Sequence, residues 1–225
     1  MNQLNVSSLN SLLECNETFI KEFKRSPLMN LINGDKVKEQ EIRTNMLDCI
    51  QTFSNHFQNV VMLRKITSAH TRAASAASDH LEEEYKHNDI LMRDRSYRAP
   101  TWDPILESTS CWFTWKMLTA DNIEKTVLMH LVLEASADVF FTAANKVMRY
   151  YGETEYFGIH ATVDQHHATM GNELLANLSA QEYQRLYEIL KQGWLVLIAA
   201  CNRIAALSVS NKTVYEDKKE DLLVF

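Results

Sequence analysis

Glycine and proline are scarce, with five and three among 225 residues. Those residues punctuate strand-and-turn architectures, so their scarcity argues against an all-β fold and for helices. Cysteine is also sparse: Cys15, Cys49, Cys111 and Cys201 form no C-x-x-C pair. Their spacing suits neither zinc nor a disulfide framework, and four reduced, mostly buried thiols are expected. Positive charge is in deficit, 23 Lys and Arg against 29 Asp and Glu, for a net charge of -6 without a basic stripe. That excludes the electrostatic footprint needed to grip a phosphate backbone, and nucleic acid is not an expected partner. No apolar run is read as reaching the roughly 20 residues that span a bilayer. The first ten residues lack the basic start and apolar stretch of a secretory signal. A cytoplasmic protein without a membrane partner is expected.

What is present is apolar and helical in period. Hydrophobic residues make up 46% of the chain, and a chain of this length buries roughly 70 to 75% of its unfolded surface. One domain over residues 1–225 follows, with a tail at 211–225 that is charged and then apolar. A first helix is expected over about 8–25, ending before Ser26-Pro27, and a second, long one from Asp35. The latter carries Ile42, Met46, Ile50, Phe53, Phe57 and Val61 at three- and four-residue steps, a core-facing stripe. Residues 69–94, rich in Ala, Glu and Leu, suit one continuous helix, broken by Arg98-Ala99-Pro100. A helix from Asp103 or Ser108 to Leu118 follows, then one capped by Thr119 or Asp121 that Gly152 terminates. Gly158 precedes a helix over 159–178. Ser179 with Glu182 marks a further start, and the last helix is strongly apolar from Trp194 to Leu207.

Three segments carry chemistry. In His160-Ala-Thr-Val-Asp164-Gln-His-His167, positions 160, 164 and 167 fall within about 60° of one another at 100° per residue, while His166 points elsewhere. Two imidazoles and a carboxylate on one stripe, bordered by Val163 and Met170, are metal ligands facing inward. In His80-Leu-Glu82-Glu83-Glu84-Tyr-Lys-His87, either Glu83 or Glu84 can share a face with His87, the Glu-x-x-His spacing of carboxylate-bridged helical bundles. Glu134 stands among apolar residues, where an uncompensated carboxylate is costly and a cation compensates well. His130 and Asp138, one turn to either side, are candidates to orient ligands. Oxygen and imidazole donors without thiolate suit iron or manganese, and iron is the reading taken.

This pattern resembles the haem-oxygenase-like diiron oxidases and oxygenases over about residues 83–167. The resemblance implies an all-α fold, a single compact bundle of about seven helices, and two non-haem Fe2+ ions with dioxygen as co-substrate. It implies Glu84 or Glu83, His87, Glu134, His160, Asp164 and His167 as ligands, with Glu134 bridging. It further implies an enzyme, an oxidoreductase of specialised metabolism acting on a small molecule, with an external electron donor and a homodimeric assembly as expected partners.

An apolar or aromatic amino acid, such as a tryptophan derivative undergoing oxidative rearrangement, C–C cleavage or nitrile formation, is the expected substrate. Trp112, Phe113, Trp115, Phe140, Phe141, Tyr150, Tyr151, Tyr156 and Phe157 are candidate walls, and Arg72, Lys146, Arg149 and Arg203 candidate carboxylate clamps. Two competing readings are a metal-independent, thiaminase-like or cofactor-synthesis enzyme, for which Cys111 or Cys201 would be the nucleophile, and a non-enzymatic helical interaction protein.

Overall fold

The computed structural model describes residues 6–152, 155–167 and 171–210, apart from the side chains of 162–167. Among the described residues there are helices and no strand. The tail expected at 211–225 lies outside them.

Helix α1 (Leu9–Phe23) starts where Ser8 and Ser11 cap reciprocally. The Ser26-Pro27 pair then opens a short helix, α2 (Pro27–Asn33), with Ser26 accepting from the Met29 N–H and Pro27 in the first turn, where no N–H is needed. The expectation had placed only a break here. After a 3-10 turn at Lys36–Lys38, α3 (Gln40–Thr67) carries the apolar stripe as read.

The continuous helix expected over 69–94 is two helices, α4 (Ala74–Glu84) and α5 (His87–Asp94). Between them Tyr85 is extended and Lys86 adopts a left-handed φ of 71°. Composition favours helix throughout this segment, so the break carries no Gly or Pro signal.

Helix α6 (Pro104–Thr119) is capped by Asp103, which accepts the N–H groups of Ile105 and Leu106. Asp121 and Glu124 form a capping box for α7 (Asn122–Thr126), which runs through a π-helical stretch, Val127–Glu134, into α8 (Ala135–Tyr151). Gly152, at φ 81°, ends it as expected. Helix α9 (Glu155–His167) begins before Gly158 and stops well short of residue 178. Helix α10 (Ala180–Val209), capped by Ser179 and Glu182, is one rod from the predicted start through the apolar segment.

The bundle is organised around α3 and α10. Helix α3 packs on α6 and α4, and α10 packs on α3, α6, α1, α2 and the π-helical stretch. Polar ties cross this core: Trp194 Nε1 donates to Asn16 Oδ1 at 2.7 Å, joining α10 to α1. The fully buried Arg95 donates to Asp48, Gln51 and the carbonyls of Arg98 and Ala99, which folds the segment before α6 onto α3. Taking α4–α5 and α7–α8 as broken rods leaves eight helical units among the described residues, one more than expected, α2 being the addition.

Two stretches, Asn122–Tyr151 and Ala180–Val209, are long and apolar enough by length and composition to cross a membrane, contrary to the reading that no such run exists. In the first, 72% of the most apolar window is buried inside the fold, as in a core helix.

Candidate metal centre

Helix α4 turns one face inward. His80 and Glu84, one turn apart, are buried, whereas Glu82 and Glu83 are exposed. Of the two carboxylates the sequence left open, the interior one is Glu84; Glu83 faces outward, because the helical turn places it 100° from its neighbour.

His87 reaches Glu84 by a different route from the one expected. The two do not share a helical face, since Glu84 ends α4 and His87 begins α5. The left-handed turn at Lys86 folds the chain back, and His87 Nδ1 lies 3.1 Å from Glu84 Oε2.

His160 arrives from α9, with Nε2 3.9 Å from the same oxygen and its ring centroid 4.8 Å from that of His87. Phe141 and Tyr156 hold its ring between them, each with its centroid 4.4 Å away. The start of α9 is pinned by the Tyr156 N–H donating to Asp94 Oδ2 at 3.0 Å, which ties it to the end of α5. Donor atoms of Glu84, His87 and His160 all lie within 4.8 Å of one another. A carboxylate and two imidazoles so placed fit a first-row divalent cation.

Glu134 is 1% exposed at the end of the π-helical stretch, with His130, fully buried, one turn before it. His80 Nε2 lies 3.0 Å from Glu134 Oε1, and Arg64 Nη1 lies 3.4 Å from His80 Nδ1. Burial pushes the Arg64 guanidinium down to about 10, an effect the Glu134 charge opposes.

Glu134 thus lies beside the candidate cation site, with the buried Arg64 behind it through His80. The sequence reading passed over His80 and Arg64. Their signals were present, His80 one turn before Glu84 and Arg64 one turn after the apolar Val60 and Val61.

Asp164 and His167 follow His160 on α9, but their side chains lie outside the described residues. Asp138 does not orient the site. It lines a surface groove with Lys24 and Lys146, on the far side of α8.

Between α3, α8 and α10, Glu84, Glu134 and His160 border a cavity of about 90 Å³. Its walls include Phe53, Phe57, Leu133, Phe140, Phe141 and Ile204, with Glu84, Glu134, His160 and Tyr156 at the polar side. Of the aromatic candidates, Phe140, Phe141 and Tyr156 line it, while Trp115 and Tyr150 are exposed and Tyr151 stacks under Arg43. No basic side chain among the described residues borders it. Arg72, Lys146 and Arg149 are exposed and Arg203 pairs with Asp103, so none of the four clamp candidates serves here.

The arrangement of helices is a haem-oxygenase-like fold. It matches the crystal structure of a domain of unknown function with a heme oxygenase-like fold from Shewanella denitrificans OS217, at a TM-score of 0.65 and 14% identity, over 87% of this chain and 91% of that one. No family model matches the sequence. The uncharacterized protein RP592 of Rickettsia prowazekii (strain Madrid E) is 30% identical over 193 residues, covering 86% of this chain and 92% of that protein. The chain belongs to the family of that rickettsial protein.

Proposed function

We propose that the protein is a non-haem iron oxidoreductase that uses dioxygen to oxidise a small, apolar substrate, in the manner its sequence resemblance implies. The observation that carries this reading is the convergence of Glu84, His87 and His160 from three helices beside an apolar cavity that Glu84 and His160 line. One cation would be held by these three. A second would take Glu134 with Asp164 and His167, which follow His160 on α9. Bound ferrous iron supplies the electrons and the open coordination positions that dioxygen chemistry requires. The chain itself contributes enclosure: Phe140, Phe141 and Tyr156 wall the donors off from water, and the apolar cavity seats the group to be oxidised.

The cavity narrows the substrate. About 90 Å³ is smaller than the roughly 150 Å³ that accommodates benzene in an engineered core. As bounded by the described residues it takes a short alkyl group and not an indole ring, and it offers no cation to a carboxylate. The preferred substrate is an amino-acid-derived or related molecule whose aliphatic portion enters the cavity while its polar end stays outside. The thiaminase-like alternative is disfavoured at both cysteines. Cys201 lines the cavity, but burial pushes its thiol up to about 12, far from nucleophilic thiolate. Cys111 is exposed.

The test is metal loading. Anaerobically reconstituted wild-type protein should retain iron and change its absorbance on mixing with dioxygen. Glu84→Ala and His160→Ala should lose most of the iron with circular dichroism unchanged, whereas Glu83→Ala should bind as wild type does. A wild-type chain that takes up neither Fe2+ nor Co2+ defeats the proposal.

A further inference from the structure

Glu134 is held by a chain of side chains reaching back into α3. Arg64, 1% exposed, places Nη1 3.4 Å from His80 Nδ1, and His80 Nε2 is 3.0 Å from Glu134 Oε1. A guanidinium has donors only, so in this contact His80 Nδ1 is the acceptor. The ring proton of His80 is thereby placed on Nε2, facing the carboxylate. The imidazole plane is held as well, by Phe57 edge-on at 6.4 Å and by His130 at 5.5 Å between centroids.

We propose that Arg64 and His80 are positioning residues for Glu134: Arg64 sets the tautomer of His80, and His80 sets the orientation of the Glu134 carboxylate by donating to Oε1. The proposal deepens the metal reading, on which its purpose rests, but the tautomer it names exists without any metal. It also separates His80 from the ligands. Although it shares a face with Glu84, one of its nitrogens accepts from Arg64 and the other carries a proton toward Glu134, so neither offers a lone pair to a cation.

The length of the chain matters. Arg64 and Glu134 are both almost fully buried. A cation that charges the interior from one side and a carboxylate that projects into the metal site from the other are joined through a ring that passes orientation between them. A ligating carboxylate whose hydrogen-bonding partner is lost typically costs 10–100-fold in metal affinity.

The experiment has two arms. In the apo wild-type protein labelled with 15N-histidine, two-bond proton–nitrogen correlation spectra should show His80 as the Nε2–H tautomer, its signals assigned by their loss in His80→Gln. In a Co2+ titration followed by visible absorption, His80→Phe and Arg64→Met should each weaken binding 10–100-fold, with an unchanged number of ions per chain. The double variant should be no weaker than the worse single one, because both act on the same carboxylate. His80→Gln, which keeps a donor near Oε1, and Arg64→Lys, which keeps a buried cationic donor, should recover most of the affinity and serve if the harsher variants fold poorly.

An Nδ1–H tautomer in the wild type overturns the proposal. So does loss of one ion per chain in His80→Phe beside unchanged affinity in Arg64→Met, which would make His80 a ligand. If the wild type binds no Co2+, the metal reading falls, and the spectrum of His80 alone decides whether Arg64 sets its tautomer.

Discussion

Single residues set the chemistry of this interior, and its thiols illustrate how. Burial raises the Cys201 thiol to about 12 and the Cys49 thiol to about 11, and Cys15 is raised by partial burial and by the neighbouring Glu14 charge. Cys111 lies exposed on α6. Alkylation by iodoacetamide at pH 8 should therefore modify Cys111 within minutes, Cys15 more slowly, and Cys49 and Cys201 only after denaturation, as peptide mass spectrometry would show. Rapid labelling of Cys201 in the folded protein would mean that the cavity it lines opens readily to solvent. Scattered cysteines of this kind were legible in the sequence as reduced thiols. Which of them was shielded was not, because shielding depends on helices far away in the chain: Cys201 owes its environment to α3 and α8.

Elements carry the next level of specification, and here the sequence was legible where a local signal existed. Ser8, Asp103, Asp121, Gly152 and Ser179 each mark a helix end through their own side chain or backbone freedom, and each does so in the structure. Two departures had no such signal. The break at Lys86 interrupts a segment of good helix formers, and the π-helical winding of Val127–Glu134 occurs in a mostly apolar run that holds His130 and ends at Glu134. Both sit at the candidate site, where irregular helix is most often found.

The π-helical stretch is pressed by α10 at Gly193. A Cβ there would lie 2.7 Å from Leu128 Cδ2 and 3.1 Å from Val132 Cγ2, so glycine permits the close approach. Gly193→Val should destabilise the fold by about 1–3 kcal/mol, the usual range for overpacking, and should also weaken metal binding, since Leu128 and Val132 share their winding with Glu134. Thermal denaturation and Co2+ titration of this variant would measure both. Unchanged melting would show that α10 and the π-helical stretch can separate without cost.

At the scale of the molecule, distant segments are joined by few polar contacts of high consequence. Asp103 caps α6 and pairs with Arg203 of α10, 100 positions on, at 2.6 and 3.0 Å. Burial alone would raise its carboxyl, but the Arg203 contact and the N–H groups of Leu106 and Ile105 hold it below the ordinary range. A carboxyl depressed on folding contributes stability above its unfolded value, and that contribution disappears as pH falls through the folded value. Asp103→Asn, which keeps the cap and removes the charge, should lower stability at pH 7 by about 1–3 kcal/mol. It should also flatten the loss of stability below about pH 4, as chemical denaturation across pH would reveal. An unaltered acid limb would assign the acid sensitivity elsewhere.

The all-helical class and the inward stripe of α3 could be read from periodicity, because burial of one face imposes it. The convergence of donors could be anticipated from spacing and resemblance only in part. The Glu84–His87 contact depends on a backbone reversal, and the His80–Arg64 support depends on helices 16 residues apart coming side by side.

Helix α10 adds a consequence for how the protein is made. It is the last described element, a rod of 30 residues and roughly 45 Å, and it lies against α1, α2, α3, α6 and the π-helical stretch. Until the ribosome has made α10, every one of those surfaces stands open to water or to chaperones, and the chamber beside Glu134 has no floor. The interior of the fold closes only when α10 has been made and has docked.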